Sequence, residues 1–117
     1  MKAGQRVAVI GVRDDGFLRD LRERTPDVSL RRRAGCDVIV VAVERPGELR
    51  KIGDLKGFIK PDGGIWIVTP KGSPGLNWTH VIAAILAAGL VDNKGISFSD
   101  THSALRAVVR LKDRPQA

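Results

Sequence analysis

The segment of residues 58–71 constrains the fold more than any other part of the chain, and it reads FIKPDGGIWIVTPK. Pro61 stops the helical pattern that precedes it, and Gly63 and Gly64 allow a turn with positive φ. An apolar run rich in β-branched residues follows at positions 65–68, as a buried strand requires. The segment therefore predicts a helix end, a tight turn and a buried parallel strand.

Two other apolar runs have the same character, at residues 7–12 and 38–43. Near-continuous apolar runs are typical of parallel strands covered on both faces. We therefore expect these two runs and residues 65–68 to form adjacent parallel strands at the centre of a sheet, with Trp66 largely buried. Residues 28–30 predict a short edge strand, although residues 31–35 are too few to form a crossover helix before the next strand.

Capping residues and apolar spacing predict three helices, and their limits are Asp14 or Asp15 to Thr25, Pro46 to Ile59, and Asn77 to Ala88. Gly53 and Gly57 weaken the second helix enough to break it. An antiparallel hairpin follows, with strands at 95–99 and 104–112 joined by residues 100–103. The second of these strands alternates apolar residues with Arg106 and Arg110, which predicts a half-exposed strand.

The whole chain, residues 1–117, is predicted to be one α/β domain with three layers, a frayed tail at 113–117, five to six strands and three helices. This order of elements resembles the second half of the class I methyltransferase fold, a Rossmann-like fold, joined to its first strand. More closely, the chain resembles the small bacterial family called domain of unknown function 3052, whose members look like trimmed relatives of that fold. The match lies in GQRVA at 4–8 with DGFL at 15–18, PDGGIW at 61–66 through TPK at 69–71, and SALR at 103–106. That family brings no established activity to residues of this chain.

The chain departs from true methyltransferases at two positions. Their first loop is rich in glycine, and an acid at the end of the second strand binds ribose hydroxyls. Here the first loop reads GVRDDG, and Arg31 follows the second strand. We therefore predict a noncatalytic binding or regulatory module with no cofactor. One alternative is a small-molecule transferase, or an enzyme that uses S-adenosylmethionine or a nucleotide at the ends of the strands. A second alternative is a nonspecific nucleic-acid accessory protein.

Ligands of open α/β sheets bind beyond the carboxyl ends of the strands. At this rim we expect side chains whose mixed charges suit a phosphorylated or zwitterionic small molecule, namely Arg13, Asp14, Asp15, Glu44, Arg45, Thr69, Lys71 and Ser73. Solvated loop charges and a helix cap explain the same residues without a ligand. A weaker candidate phosphate site consists of Arg31, Arg32 and Arg33. No metal-binding residue is predicted, because His80 and His102 lack partners at ligand spacing. No catalytic residue is predicted, because Ser73 and Ser103 lie in no nucleophile-elbow pattern.

Charge and composition limit the partners. The net charge of +7 attracts polyanions, but the bases are spread along the chain, so the sequence predicts at most nonspecific, salt-sensitive binding of nucleic acid. The lone Cys36 predicts a small buried hydrophobe and no internal disulfide. The chain shows neither a membrane-length apolar run nor a signal peptide, which predicts a cytoplasmic protein that does not bind membranes. The partner is an unknown small molecule or protein, and the outer strand at 95–99 predicts a monomer or a weak homodimer.

Overall fold

The computed structural model describes residues 4–110 and 113. Within them lie six strands and three helices: β1 (Val7–Ile10), α1 (Asp15–Arg24), β2 (Val28–Ser29), β3 (Cys36–Ala42), α2 (Lys51–Leu55), β4 (Ile59–Pro70), α3 (Trp78–Ala87), β5 (Leu90–Ser97) and β6 (His102–Val109). Two short 3₁₀ turns flank α2, at Pro46–Arg50 and Lys56–Phe58. The predicted α/β class with a C-terminal antiparallel hairpin is confirmed.

The strands form one sheet in the order β2-β1-β3-β4-β6-β5. As predicted, β1, β3 and β4 are adjacent and parallel. β6 runs antiparallel between β4 and β5, and it places Arg106 directly opposite Trp66. β5 is therefore an outer strand of the sheet, whereas the later β6 lies inside it.

The helices cover the two faces of the sheet unequally. α2 and α3 pack Ile52, Leu55 and Ile85 against the apolar side chains of one face. α1 packs Leu21, with Phe17 and Leu18, against the other face beside β1 and β3. None of the helices in the described ranges is long and apolar enough to cross a membrane. α1 is the one described helix on its face and reaches Trp66 and Phe98 through Phe17, so no other described helix covers the part of that face formed by β4, β6 and β5.

The predicted tight turn at residues 61–64 is wrong, because these residues lie inside β4. Cys36 pairs with Ile59 and Val38 pairs with Gly64, so the four residues 60–63 face residue 37 alone and form a long bulge. Neither Gly63 nor Gly64 has a positive φ. Glycine is needed at 63 because a Cβ there would lie 2.9 Å from the carbonyl oxygen of Asp37 and 3.0 Å from that of Cys36.

Other predicted boundaries also shift. The second helix is broken as expected, but Ile59 belongs to β4 rather than to the helix. β5 begins at Leu90 rather than at residue 95, because Gly89 takes a φ of +79° and turns the chain directly into the strand. β6 begins at His102, and the predicted continuation through residues 111 and 112 lies outside the described residues, as does the tail apart from Asp113.

One burial prediction also needs correction. Val108 is only 5% exposed, so β6 is buried along much of both faces and is not a half-exposed strand. Its position between β4 and β5 contributes to this burial, since side chains of both neighbouring strands flank its own on each face. Trp66 is partly buried and packs against the apolar cluster that contains Val40 and Val68, in line with the prediction that most of it is shielded.

The edge strand β2 exists, but it is only two residues long and pairs in parallel with β1. The chain then returns to β3 without a helix, and Arg33 holds this return in place. Its Nη2 donates to the carbonyl oxygens of Val7 (2.9 Å) and Asp27 (2.6 Å), while Nη1 donates to Asp27 Oδ1 (2.6 Å). Cys36 is fully buried beside it, as predicted, and burial raises the pKa of the Cys36 thiol.

Replacing Arg33 by methionine should therefore lower the free energy of unfolding by about 1–2 kcal/mol, because charge-assisted hydrogen bonds that tie the return segment to β1 are lost. Urea denaturation measures the change. Arg32→Met is the matched control, since Arg32 is exposed and no side-chain hydrogen bond or ion pair of it is found in the described part of the chain. Equal effects of the two substitutions would contradict this structural role for Arg33.

Candidate functional site

A cleft of about 940 Å³ opens beyond the carboxyl ends of β1 and β3. The loop after β1, the loop after β3 and the turn between β5 and β6 form its walls. β1 connects to β2 on one side, whereas β3 and β4 lie on the other side, so the cleft lies where the strand order reverses. This switch point is where open α/β sheets bind ligands.

Five of the eight predicted rim residues line this cleft, namely Arg13, Asp14, Asp15, Glu44 and Arg45. The other three do not line it. Thr69 is buried at 2% exposure, Lys71 Nζ donates to Ser97 Oγ at 2.7 Å, and Ser73 lies in the loop before α3. These three residues lie outside the cleft because β4 extends to Pro70 and still pairs there with β6. The end of β4 therefore lies away from the cleft.

The loop after β1 is shaped by Gly11 and Asp14. Gly11 has a φ of +76°, a conformation that L side chains rarely adopt, and it lies at the base of the cleft directly after β1. Asp14 accepts a hydrogen bond from the backbone N–H of Phe17 at 3.0 Å, so it is the N-cap of α1. The predicted cap is confirmed, and Arg13 and Asp15 are left as exposed charges at the cleft.

The loop after β3 is held by Glu48, a residue that was not among the predicted site residues. Glu48 Oε1 accepts from the backbone N–H groups of Glu44 (2.9 Å) and Arg45 (3.1 Å), and Lys51 Nζ lies 3.0 Å from Oε2. The hydrogen bond from Glu44, followed by that from Lys51, lowers the pKa of the Glu48 carboxyl. The signal was the spacing of Glu48 three residues after Arg45, with Pro46 between them, which is the spacing of a capping box.

His102 crosses the cleft from the start of β6 and meets Glu44. Its Nε2 lies 3.1 Å and 3.4 Å from the two carboxylate oxygens of Glu44, and its Nδ1 lies 2.8 Å from Thr101 Oγ1. The His102 side chain is 27% exposed and that of Glu44 is 54% exposed. The sequence offered no partner for His102 because Glu44 precedes it by 58 residues. The insertion of β6 beside β4 brings the two together.

An imidazole oriented by a carboxylate can accept and return a proton, which is the usual role of histidine in general acid–base catalysis. Thr101 and Ser99 add hydroxyl groups on the same side of the cleft, with 3.3 Å between their oxygens. Across residues 4–110 and 113, His, Cys, Asp and Glu form no group of three that could hold a metal ion. The cleft therefore combines mixed charges, hydroxyl groups and a proton-accepting pair.

The three side chains of the weaker candidate phosphate site, Arg31, Arg32 and Arg33, do not come together as one binding site. Arg33 donates its hydrogen bonds to Asp27 and Val7, whereas Arg31 and Arg32 are exposed. Phosphate binding by Arg31 and Arg32 remains a prediction.

No family model matches the chain, and a search of curated proteins finds no match. Solved structures do match. A S-adenosylmethionine-dependent methyltransferase from Aquifex aeolicus has a TM-score of 0.66 at 14% identity, over 93% of this chain and 84% of its own. A TehB-like methyltransferase from Corynebacterium glutamicum has a TM-score of 0.62 at 11% identity, over 94% and 83%. Aeropyrum pernix fibrillarin, in complex with natively bound S-adenosylmethionine, has a TM-score of 0.61 at 13% identity, over 92% and 67%.

These similarities identify the fold of the chain. The chain has the Rossmann-like α/β fold of the class I S-adenosylmethionine-dependent methyltransferases. At identities of 11–14% the likeness shows the fold and nothing finer. Membership of the family called domain of unknown function 3052 stays a prediction.

Proposed function

We propose that the protein is an enzyme that acts on small molecules. It binds S-adenosylmethionine in the cleft and uses His102 as its proton acceptor. The observation that carries this proposal is the contact between His102 Nε2 and Glu44, at 3.1 Å, in a large cleft at the switch point of the sheet. The similarity to methyltransferases supports this enzyme better than the noncatalytic module predicted from the sequence.

The residues of the cleft fit such a cofactor in three respects. Its volume of about 940 Å³ lies within the range of small-ligand sites, about 300–1,000 Å³. Gly11 leaves the end of β1 without a side chain, so a ligand can approach the backbone there. Arg13 and Asp15 offer opposite charges for the carboxylate and ammonium groups of an amino acid. The ribose-binding acid is missing, so we expect weaker binding than a complete motif gives.

S-adenosylmethionine, when bound, supplies an electrophilic methyl group on a sulfonium. The residues of this chain orient the acceptor and take its proton. His102 accepts a proton at Nδ1 from the hydroxyl of Thr101, which lies 2.8 Å away, and that hydroxyl takes up the proton from the hydroxyl or amine of the acceptor. Glu44, at Nε2, stabilises the imidazolium that results. Glu48 holds the backbone of Glu44 and Arg45, so it positions this pair without touching the acceptor.

One observation favours a second function in the same cleft. The first loop carries a bulky arginine and two acids where glycines are usual, and Arg31 replaces the ribose-binding acid. A noncatalytic module that binds a different zwitterionic or anionic ligand satisfies these features without any reaction.

Calorimetric titration with S-adenosylmethionine and its demethylated product separates the two functions. For the enzyme we expect saturable binding with a dissociation constant of about 10–100 μM, which corresponds to about 5–7 kcal/mol. Arg13→Ala should weaken it about tenfold, because a charged contact in the cleft is lost. Arg32→Ala, an exposed arginine outside the cleft, is the control. Failure of both compounds to bind a folded protein would refute the enzyme and leave the noncatalytic module.

A further inference from the structure

Part of one sheet face lies open beside the cleft. On β4, β6 and β5 this face carries Trp66, Arg106 and Ile96, and α1 is the one described helix that reaches this part of it, through Phe17. Trp66 and Arg106 are half-buried, and Ile96 is 39% exposed. Large apolar side chains that stay partly open in this way often mark a binding surface.

This open face contains an apolar pocket of about 220 Å³ lined by Phe17, Val40, Trp66, Ile96, Phe98 and Ala104. The rings of Phe17 and Phe98 are 5.0 Å apart at 60° and join α1 to the end of β5. A dry apolar cavity of about 150 Å³ holds a benzene molecule, so this pocket can hold one ring. Phe98 lines the cleft as well, so the pocket and the cleft share a wall.

Two cations lie beside the pocket on the same face. Arg106 is directly opposite Trp66, and Lys94 is directly opposite Arg106. Residues directly opposite on antiparallel neighbours share a face, and the paired positions of β3, β4, β6 and β5 on this face hold no carboxylate. Within residues 4–110 and 113, neither cation has an ion pair or a side-chain hydrogen bond.

Gly64 makes the position of Arg106 possible. A Cβ at Gly64 would lie 2.8 Å from Arg106 Nε and 3.0 Å from Cζ, so the guanidinium group lies against the bare backbone of β4. A half-buried, unpaired guanidinium at the edge of an apolar pocket suits a bidentate anion such as a carboxylate. A second copy of this chain is disfavoured as the occupant, since it also carries a charge of +7.

We infer that this pocket binds an organic anion, with a ring-sized apolar group against Trp66 and an acidic group at Arg106. The inference deepens the proposed function, because the pocket would then hold the acceptor of the reaction beside the cofactor cleft. That role rests on the proposed function, whereas the binding itself does not.

The test uses Trp78→Phe protein, in which Trp66 is the one remaining tryptophan, and follows its fluorescence during titration with 3-phenylpropionate. The neutral 3-phenylpropan-1-ol should bind at least fivefold more weakly, because it has no charge for Arg106. Arg106→Gln should weaken the acid at least fivefold and leave the alcohol unchanged. Arg50→Gln, which removes an exposed charge away from the pocket, is the control for net charge.

Two further variants test the ring-binding part. Ala104→Leu should abolish binding of both compounds by filling the pocket, and Ala83→Leu on the exposed side of α3 is its control. Ile96→Glu, at the partly exposed edge strand, should weaken the acid more than the alcohol and does not require repacking of the core. These results together support the inference.

Any one of three results would overturn the inference. The acid and the alcohol could bind equally well, binding could survive both Ala104→Leu and Ile96→Glu, or neither compound could give a saturable signal. The two proposals fail separately. If 3-phenylpropionate binds and S-adenosylmethionine does not, the anion-binding pocket is supported and the proposed enzyme is refuted. If only S-adenosylmethionine binds, the anion-binding pocket is refuted and the cofactor cleft is supported.

Discussion

Replacing Gly63 by alanine is expected to lower the free energy of unfolding by about 2–3 kcal/mol, the upper part of the range of about 1–3 kcal/mol for overpacked sites. The new Cβ would lie 2.9–3.1 Å from the carbonyl oxygens of Asp37, Cys36 and Lys60. All three are backbone atoms next to the bulge between β3 and β4, so no flexible side chain can move aside. Thermal and urea denaturation of the variant and the wild type measure the loss.

Gly57→Ala is the matched control for this prediction. Gly57 lies in the 3₁₀ turn Lys56–Phe58, its φ is not positive, and a Cβ there meets nothing within 4 Å. The substitution should leave stability unchanged or raise it by up to about 1 kcal/mol, because alanine restricts the unfolded chain more than glycine does. A Gly63→Ala protein as stable as the Gly57→Ala protein would show that the bulge rearranges freely.

Replacing His102 by glutamine is expected to lower kcat by about 10²–10⁴-fold, the usual contribution of a positioned general base. Release of the demethylated product of S-adenosylmethionine, measured with a panel of hydroxyl and amine acceptors, gives the rate. The KM for S-adenosylmethionine should stay within about twofold of the wild type, because a group that acts only in the transition state changes kcat rather than binding.

His80→Gln is the control for this substitution, since His80 is exposed on α3 and away from the cleft. Glu44→Gln tests the positioning carboxylate. It retains a hydrogen-bonding group but loses the charge that stabilises the imidazolium, so kcat should fall by about tenfold or more. A His102→Gln protein with normal kcat would remove His102 from the reaction and leave its contact with Glu44 a structural one.

The central strands were predictable from the sequence because their signal is local. Near-continuous apolar runs at residues 7–12 and 38–43 predict strands buried on both faces, and the structure places β1 and β3 side by side. The bulge was not predictable from local pattern. Pro61 and the paired glycines suggest a turn whenever the neighbouring strand is unknown, and it is the carbonyl oxygens of Asp37 and Cys36 that make glycine necessary at position 63.

The candidate site was likewise predictable only where its signal was local in the sequence. Arg13, Asp14, Asp15, Glu44 and Arg45 follow two strand ends, and the general rule for open α/β sheets was enough to predict that they meet. Thr69 and Lys71 were expected there as well, but pairing of β4 with β6 continues past the predicted strand end. The contact between Glu44 and His102 depends on where β6 inserts, which no spacing in the sequence reveals.

The insertion of β6 also has a consequence for the order of assembly. β5 is synthesised before β6, yet among the described residues β6 is the one strand that pairs with it, so this pairing waits until β6 has followed. The hairpin of β5 and β6 is local and can form within microseconds, after which β6 docks on β4. Until that moment β4 exposes the edge of a strand rich in isoleucine and valine, the kind of edge that recruits other chains. A nascent chain that stops before His102 would therefore be prone to aggregate, whereas the finished chain covers that edge itself.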